Sequence, residues 1–134
     1  MGREVRGAKL LLVENEPDLL EVMVELLEAD GFEAVTTDSV PAALQALAAT
    51  RFSLVLTDFQ LGGPQAPWVE LQRLRDAAHP APVGIVTGAT IDPVEAQRRG
   101  FAFALQKPFD WDELLARVLE HVSAPEPPSA PPVR

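Results

Sequence analysis

Leu10-Leu11-Leu12-Val13-Glu14-Asn15-Glu16-Pro17 decides the fold. Its four consecutive apolar residues leave no polar face, which is what a strand needs when helices cover both of its sides. The run then turns abruptly into acids and an amide, and a helical segment follows from Pro17 to about Ala29. In that segment Leu19, Met23, Leu26 and Leu27 recur at helical spacing, and Asp30-Gly31 supplies the C-terminal stop. A buried strand ending in carboxylates and feeding a helix is one βα unit of a parallel sheet.

The same alternation continues along the chain. Glu33 to Thr37 is a more polar strand, suited to a sheet edge, and Ser39 caps a helix through about Ala49 with Leu44 and Leu47 facing inward. Phe52 to Leu56 forms a third strand that ends at Thr57-Asp58. Leu61-Gly62-Gly63-Pro64 breaks regular structure, and a helix from about Pro67 to Ala78 buries Trp68, Leu71 and Leu74. Val83-Gly84-Ile85-Val86 is a fourth strand ending at Thr87-Gly88. Asp92-Pro93-Val94-Glu95 reads as a capping box opening a short helix that stops at Gly100. Phe101 to Leu105 is a fifth strand running into Gln106-Lys107-Pro108. Asp110-Trp111-Asp112-Glu113 repeats the capping pattern before a last helix with Leu114, Leu115, Val118 and Val122 on its apolar side. The pattern makes five βα units in an α/β fold.

Composition bounds what such a domain can do. At 134 residues the chain is one domain's worth. Residues 1–8 are a lead-in, 9–122 the domain, and 123–134 hold five prolines in twelve residues, as a disordered or extended tail or linker does. No stretch approaches the roughly 20 apolar residues of a membrane span, so no membrane is expected. Met1-Gly2-Arg3-Glu4 lacks the apolar core of a secretory signal, and the cytoplasm is the default compartment. The absence of cysteine excludes disulfides, thiolate metal sites and cysteine nucleophiles. A net charge of −9, with eleven basic residues scattered among twenty acidic ones, argues against direct nucleic-acid binding.

The chemistry collects where the strands end. In a doubly wound sheet, ligands bind outside the carboxyl ends of the strands. Strand one delivers Glu14-Asn15-Glu16 there, strand three Asp58, strand four Thr87 and strand five Lys107. Oxygen ligands from carboxylates suit a hard cation such as Mg²⁺. Phosphoryl transfer asks mainly for positioning and charge neutralisation. Asp58 would be the nucleophile, the metal and Lys107 would offset developing charge, and the Thr87 hydroxyl could donate to a phosphoryl oxygen.

From about Lys9 to Val122 the chain resembles the receiver domains of two-component response regulators. The matching elements are Leu11-Leu12-Val13-Glu14-Asn15-Glu16-Pro17, Leu54-Val55-Leu56-Thr57-Asp58, Ile85-Val86-Thr87-Gly88 and Lys107-Pro108-Phe109. The resemblance implies a flavodoxin-like fold, a doubly wound five-stranded parallel sheet in the order 2-1-3-4-5 with five flanking helices. It implies Mg²⁺-dependent transfer of a phosphoryl group to Asp58 from a histidine kinase or phosphotransfer protein. The metal ligands carried over are Glu14, Asn15, Asp58 and the Gln60 backbone carbonyl; Thr87 and Lys107 would serve the phosphoryl group. It also implies a cis peptide before Pro108, and the face of helix four, strand five and helix five as a candidate homodimer surface. Autodephosphorylation would be the only enzyme-like activity.

Two positions depart from the family pattern. Asn15 stands where an aspartate usually binds the metal; its amide oxygen can still ligate, but with one negative charge fewer. Ala104 stands where a tyrosine or phenylalanine usually couples phosphorylation to the output face. Phe103 is adjacent, but on a strand it points to the opposite face. These departures motivate a second reading, a pseudo-receiver that keeps the fold as an interaction or dimerisation module without being phosphorylated. A small hydrolase with Asp58 as nucleophile would want a second acid soon after it, and Phe59-Gln60-Leu61 supplies none.

Blander roles exist for each residue: a turn position for Asp58, solvated or helix-capping charges for Glu14 and Glu16, strand packing for Thr87, a surface charge for Lys107, an inert position for Asn15. Trp68 and Trp111 read as packing residues. His79 and His121 sit near helix C-termini without partners at ligand spacing, which does not favour zinc.

Overall fold

The computed structural model describes residues 7–63 and 65–122. The expected tail at 123–134 and most of the lead-in lie outside the described residues. The ten elements alternate strictly: β1 (Lys9–Val13), α1 (Pro17–Ala29), β2 (Glu33–Thr37), α2 (Val40–Ala49), β3 (Leu54–Thr57), α3 (Pro67–Ala78), β4 (Val83–Thr87), α4 (Pro93–Arg98), β5 (Phe103–Gln106) and α5 (Trp111–His121). All four strand pairings are parallel and the sheet order is β2-β1-β3-β4-β5. This is the flavodoxin-like topology, with the polar β2 at an edge as its sequence requires.

The apolar runs divide their side chains between two cores. Leu10 and Leu12 of β1 join Leu54, Leu56, Met23 and Leu27 on one face, where α1 and α5 close the layer with Leu114 and Val118. Leu11 and Val13 point the other way, to Val55, Ile85, Ala43, Leu71, Leu74 and Ala96 beneath α2, α3 and α4. This is the period-two alternation of a strand buried on both faces. Each fully buried leucine contributes roughly 1.5–3 kcal/mol, so the sheet centre anchors the rims.

Phe103 and Ala104 obey the same alternation. The Phe103 ring joins the α1/α5 core and Ala104 the other. The Phe103 ring sits so close to Gly84 of the neighbouring strand that a Cβ there would overlap it. Gly84 is therefore a close-approach glycine.

Several local expectations need correction. The third strand begins at Leu54 and not Phe52, although Ser53 N–H already donates to the Lys9 carbonyl at 2.8 Å. The fifth begins at Phe103 and not Phe101. The Phe101 and Gly100 N–H groups close the end of α4 by bonding Ala96 and Gln97 carbonyls, a Schellman stop with Gly100 at φ +93°. In α2 the fully buried residues are Val40 and Ala43, while Leu44 and Leu47 are only half-buried. Trp68 is likewise half-buried. Ser39 and Asp92 do cap α2 and α4, but Glu95 turns to Arg99 instead of completing a capping box. Asp110 sits at the start of α5 without a side-chain cap bond. The Lys107–Pro108 peptide is cis, and so is His79–Pro80, which nothing in the sequence signalled.

Candidate phosphoacceptor site

Glu14, Asp58 and Lys107 stand one step beyond their strands and are still held by the sheet's hydrogen bonding, and Thr87 ends β4. Glu14 N–H donates to the Thr37 carbonyl at 3.0 Å, Asp58 N–H to Val13 at 2.9 Å, and Lys107 N–H to Thr87 at 2.8 Å. Parallel pairing thus delivers the ends of β1, β3, β4 and β5 to one rim. Rigid placement by strand ends suits a site that works by positioning.

The side chains converge on the Lys107 ammonium. Its Nζ lies 2.7 Å from Glu16 Oε1, 3.0 Å from Glu14 Oε1 and 3.5 Å from Asp58 Oδ2. Glu14 and Asp58 are buried, at 4% and 8% exposure, whereas Glu16 opens to solvent. Glu14 Oε2 also accepts from Glu16 N–H at 3.1 Å, which ties the two acids across the turn into α1. The Asp58 carboxylate is oriented from both sides. Oδ1 accepts from Phe59 N–H at 2.6 Å and Gln60 N–H at 3.3 Å, while Oδ2 faces Lys107.

The charges are unbalanced, three acids to one lysine. Burial pushes the Glu14 carboxyl above its ordinary 4.5; the bond and charge of Lys107 oppose this, and the Asp58 charge adds to it. Burial also pulls the Lys107 ammonium down, but its bonds to Glu16 and Glu14 and the nearby acids outweigh that and hold it above 10.5. Both shifts favour the protonated form, a neutral Glu14 and a charged Lys107, the first mainly through burial and the second through the acids that grip the ammonium.

The carboxylates of Glu14, Glu16 and Asp58 offer oxygens all within 4.8 Å of one another. An all-oxygen donor set fits a hard divalent cation. Asn15 is exposed at the mouth, and its side chain is not among those meeting at Lys107. Gln60 contributes its N–H to Asp58. Thr87 is buried at the same rim. Its hydroxyl accepts from Ala89 N–H at 3.2 Å, and among the described residues it makes no hydrogen bond to the three acids.

Sequence reading weighed Glu16 mainly as a solvated or capping charge, yet it makes the shortest contact to Lys107. It also missed Glu70, a buried acid on α3 whose Oε2 accepts no hydrogen bond among the described residues. Arg73 Nη1 approaches that oxygen only to 3.7 Å, an ion-pair distance too long for a hydrogen bond. Glu70 lies on the stripe of Leu71, Leu74 and Ala78, so an acid at an apolar position was the available signal. Glu70 Oε1 comes so close to Gly63 that a Cβ there would meet it at 2.6 Å. His79 and His121 belong to no metal-ligand group among the described residues.

Comparison with known proteins agrees with this geometry. The family model described as "Response regulator receiver domain" matches residues 10–119. The response regulator FleR of Pseudomonas aeruginosa is 39% identical over 117 residues, covering 86% of this chain and 24% of that regulator. The structure of NtrX from Brucella abortus superposes with a TM-score of 0.72 at 31% identity, over 85% of this chain and 26% of that one. The BeF3-activated N-terminal receiver domain of RstA from Klebsiella pneumoniae gives 0.75 at 23% identity, over 84% and 97%, a likeness of fold. The chain spans about a quarter of FleR and of NtrX. It belongs to the response regulator receiver domain family.

Proposed function

We propose that this domain accepts a phosphoryl group on Asp58 from a histidine kinase or phosphotransfer protein and signals through protein contacts. The observation that carries this reading is the convergence of Asp58, Glu14 and Glu16 on Lys107 Nζ. Two backbone N–H groups hold Asp58 Oδ1, leaving Oδ2 to attack phosphorus. A new Oδ2–P bond forms as the donor's N–P bond breaks, and the departing imidazole retains the electron pair and takes a proton. Lys107, charged at neutral pH, neutralises an equatorial oxygen. Thr87 donates its hydroxyl proton to another.

Glu14, Asp58, Asn15 and the Gln60 carbonyl would hold Mg²⁺, which would supply further neutralisation of phosphoryl charge when bound. The domain is not an enzyme beyond self-phosphorylation from donors and autodephosphorylation. It works in the cytoplasm, contacts no nucleic acid itself, and can pair with a second copy through α4, β5 and α5. Among the described residues no helix is long and apolar enough to cross a membrane.

The decisive experiment is incubation with a small-molecule phosphodonor and Mg²⁺, followed by intact mass beside an Asp58→Ala control. A phosphate-sized adduct absent from the control supports the reading. No adduct across a range of Mg²⁺ concentrations would overturn it in favour of a non-phosphorylated pseudo-receiver, which the exposed Asn15 and the small Ala104 favour.

A further inference from the structure

The residue after Asp58 opens a second route out of the site. Phe59 holds Asp58 Oδ1 through its N–H, and its ring packs edge-on against Trp68 of α3, with centroids 4.9 Å apart at 74°. The Arg99 guanidinium, at the C-terminal end of α4, stacks over Trp68 at 4.3 Å from its centroid. Arg99 is itself clamped to α4 by Glu95 at 2.9 Å, and Arg75 of α3 donates to the Arg99 carbonyl. Trp68 also meets Phe101, just past α4, at 5.8 Å. An unbroken series of contacts therefore runs from the acceptor carboxylate to α4. At β5, by contrast, Ala104 offers no ring, and the Thr87 hydroxyl is engaged by Ala89.

We propose that the state of Asp58 is communicated to α4 through Phe59, Trp68 and Arg99; this rests on the phosphoacceptor reading above. A phosphoryl group on Asp58 changes what Oδ1 can accept, so the Phe59 N–H and ring must adjust. Edge-to-face and cation–π contacts depend on angle and distance. Movement of Phe59 thus alters the hold of Trp68 on Arg99, and through Glu95 the seating of α4.

The test begins from Trp111→Phe, which leaves Trp68 as the chain's single tryptophan. Intact mass reports the adduct on Asp58, independently of any readout. With the adduct formed, Trp68 emission should shift and amide exchange across residues 94–101 should change by about fivefold or more, the lower end of ordinary coupling. Arg99→Gln and, separately, Trp68→Leu should leave the adduct in place while cutting that exchange response at least about threefold, the worth of one such contact. Trp68→Phe should restore most of it. An adduct with an unchanged α4 response in both variants would overturn the proposal. Should no adduct form on the parent, the phosphoacceptor reading falls, and the coupling is read in the unmodified protein. Arg99→Gln should then shift the Phe59 and Gln60 amide resonances, and resonances that stay put would overturn it.

Discussion

The two walls of the Asp58 rim differ in the kind of force that holds them. On the side of β1 and the Lys107 loop, charge does the work: three carboxylates meet one ammonium within 3.5 Å, and the backbones of Glu14, Asp58 and Lys107 are still paired to the sheet. On the side of α3 and α4, apolar and cation–π contacts do it, through Phe59, Trp68, Arg99 and Phe101. The first wall suits the proposed reaction and the second the proposed transmission of its result. Asp58 belongs to both, through Oδ2 and Oδ1 respectively. On that reading, acceptance and readout should be open to separate perturbation.

The largest effect should come from removing what the walls share. Asp58→Ala should abolish the phosphate adduct in intact mass, and a persisting adduct would move the acceptor elsewhere. Lys107→Gln attacks the charged wall alone, and should slow phosphorylation on the order of 10²-fold in a stopped-time mass assay, as loss of one preorganised electrostatic donor does. A rate within error of the parent would remove Lys107 from the chemistry. Asn15→Asp adds a charge at the mouth and should tighten Mg²⁺ roughly tenfold by calorimetric titration, about the worth of one further charged ligand; unchanged affinity would leave Asn15 outside the metal's reach.

The electrostatic wall should also show itself in stability against pH. Glu14 holds its proton more tightly folded than unfolded, so its contribution is fully present below 4.5 and is lost as pH rises through its raised value. Lys107 stabilises the fold up to 10.5, and that contribution is lost as pH climbs through its own raised value. Denaturant melts across pH should show both declines, and Glu14→Gln should flatten the acidic one and also lessen the alkaline one, since Glu14 helps hold the Lys107 proton. The smallest effect belongs to Ala104→Phe, which should leave the phosphorylation rate within about twofold, as expected for a site acting apart from the chemistry. A tenfold slowing would mean that the β5 face is coupled to the chemistry.

Sequence carried some of this and not the rest. The runs at Leu10–Val13 and Val83–Val86 were legible because a strand buried on both faces has no polar position to confuse the pattern. The rim followed, since a polar residue directly after such a run must stand at the sheet's end. Strand starts were less legible: Phe101 looks like strand yet spends its N–H on closing α4, a choice made by Gly100. The part Glu16 plays was hidden, because turns do not announce where a long side chain will reach. The stack of Arg99 on Trp68 joins residues more than thirty positions apart, and no local period encodes it. Asp110 shows the reverse error, a capping pattern whose side chain makes no cap.

Lys107 has one more consequence. As an ammonium attached to the chain, it acts as a counterion that cannot diffuse away. Three carboxylates less one ammonium leave two negative charges, the complement of a single divalent ion. A divalent cation held by these acids would therefore have to draw them away from a resident competitor, and the lysine so released would be free to meet an incoming anion.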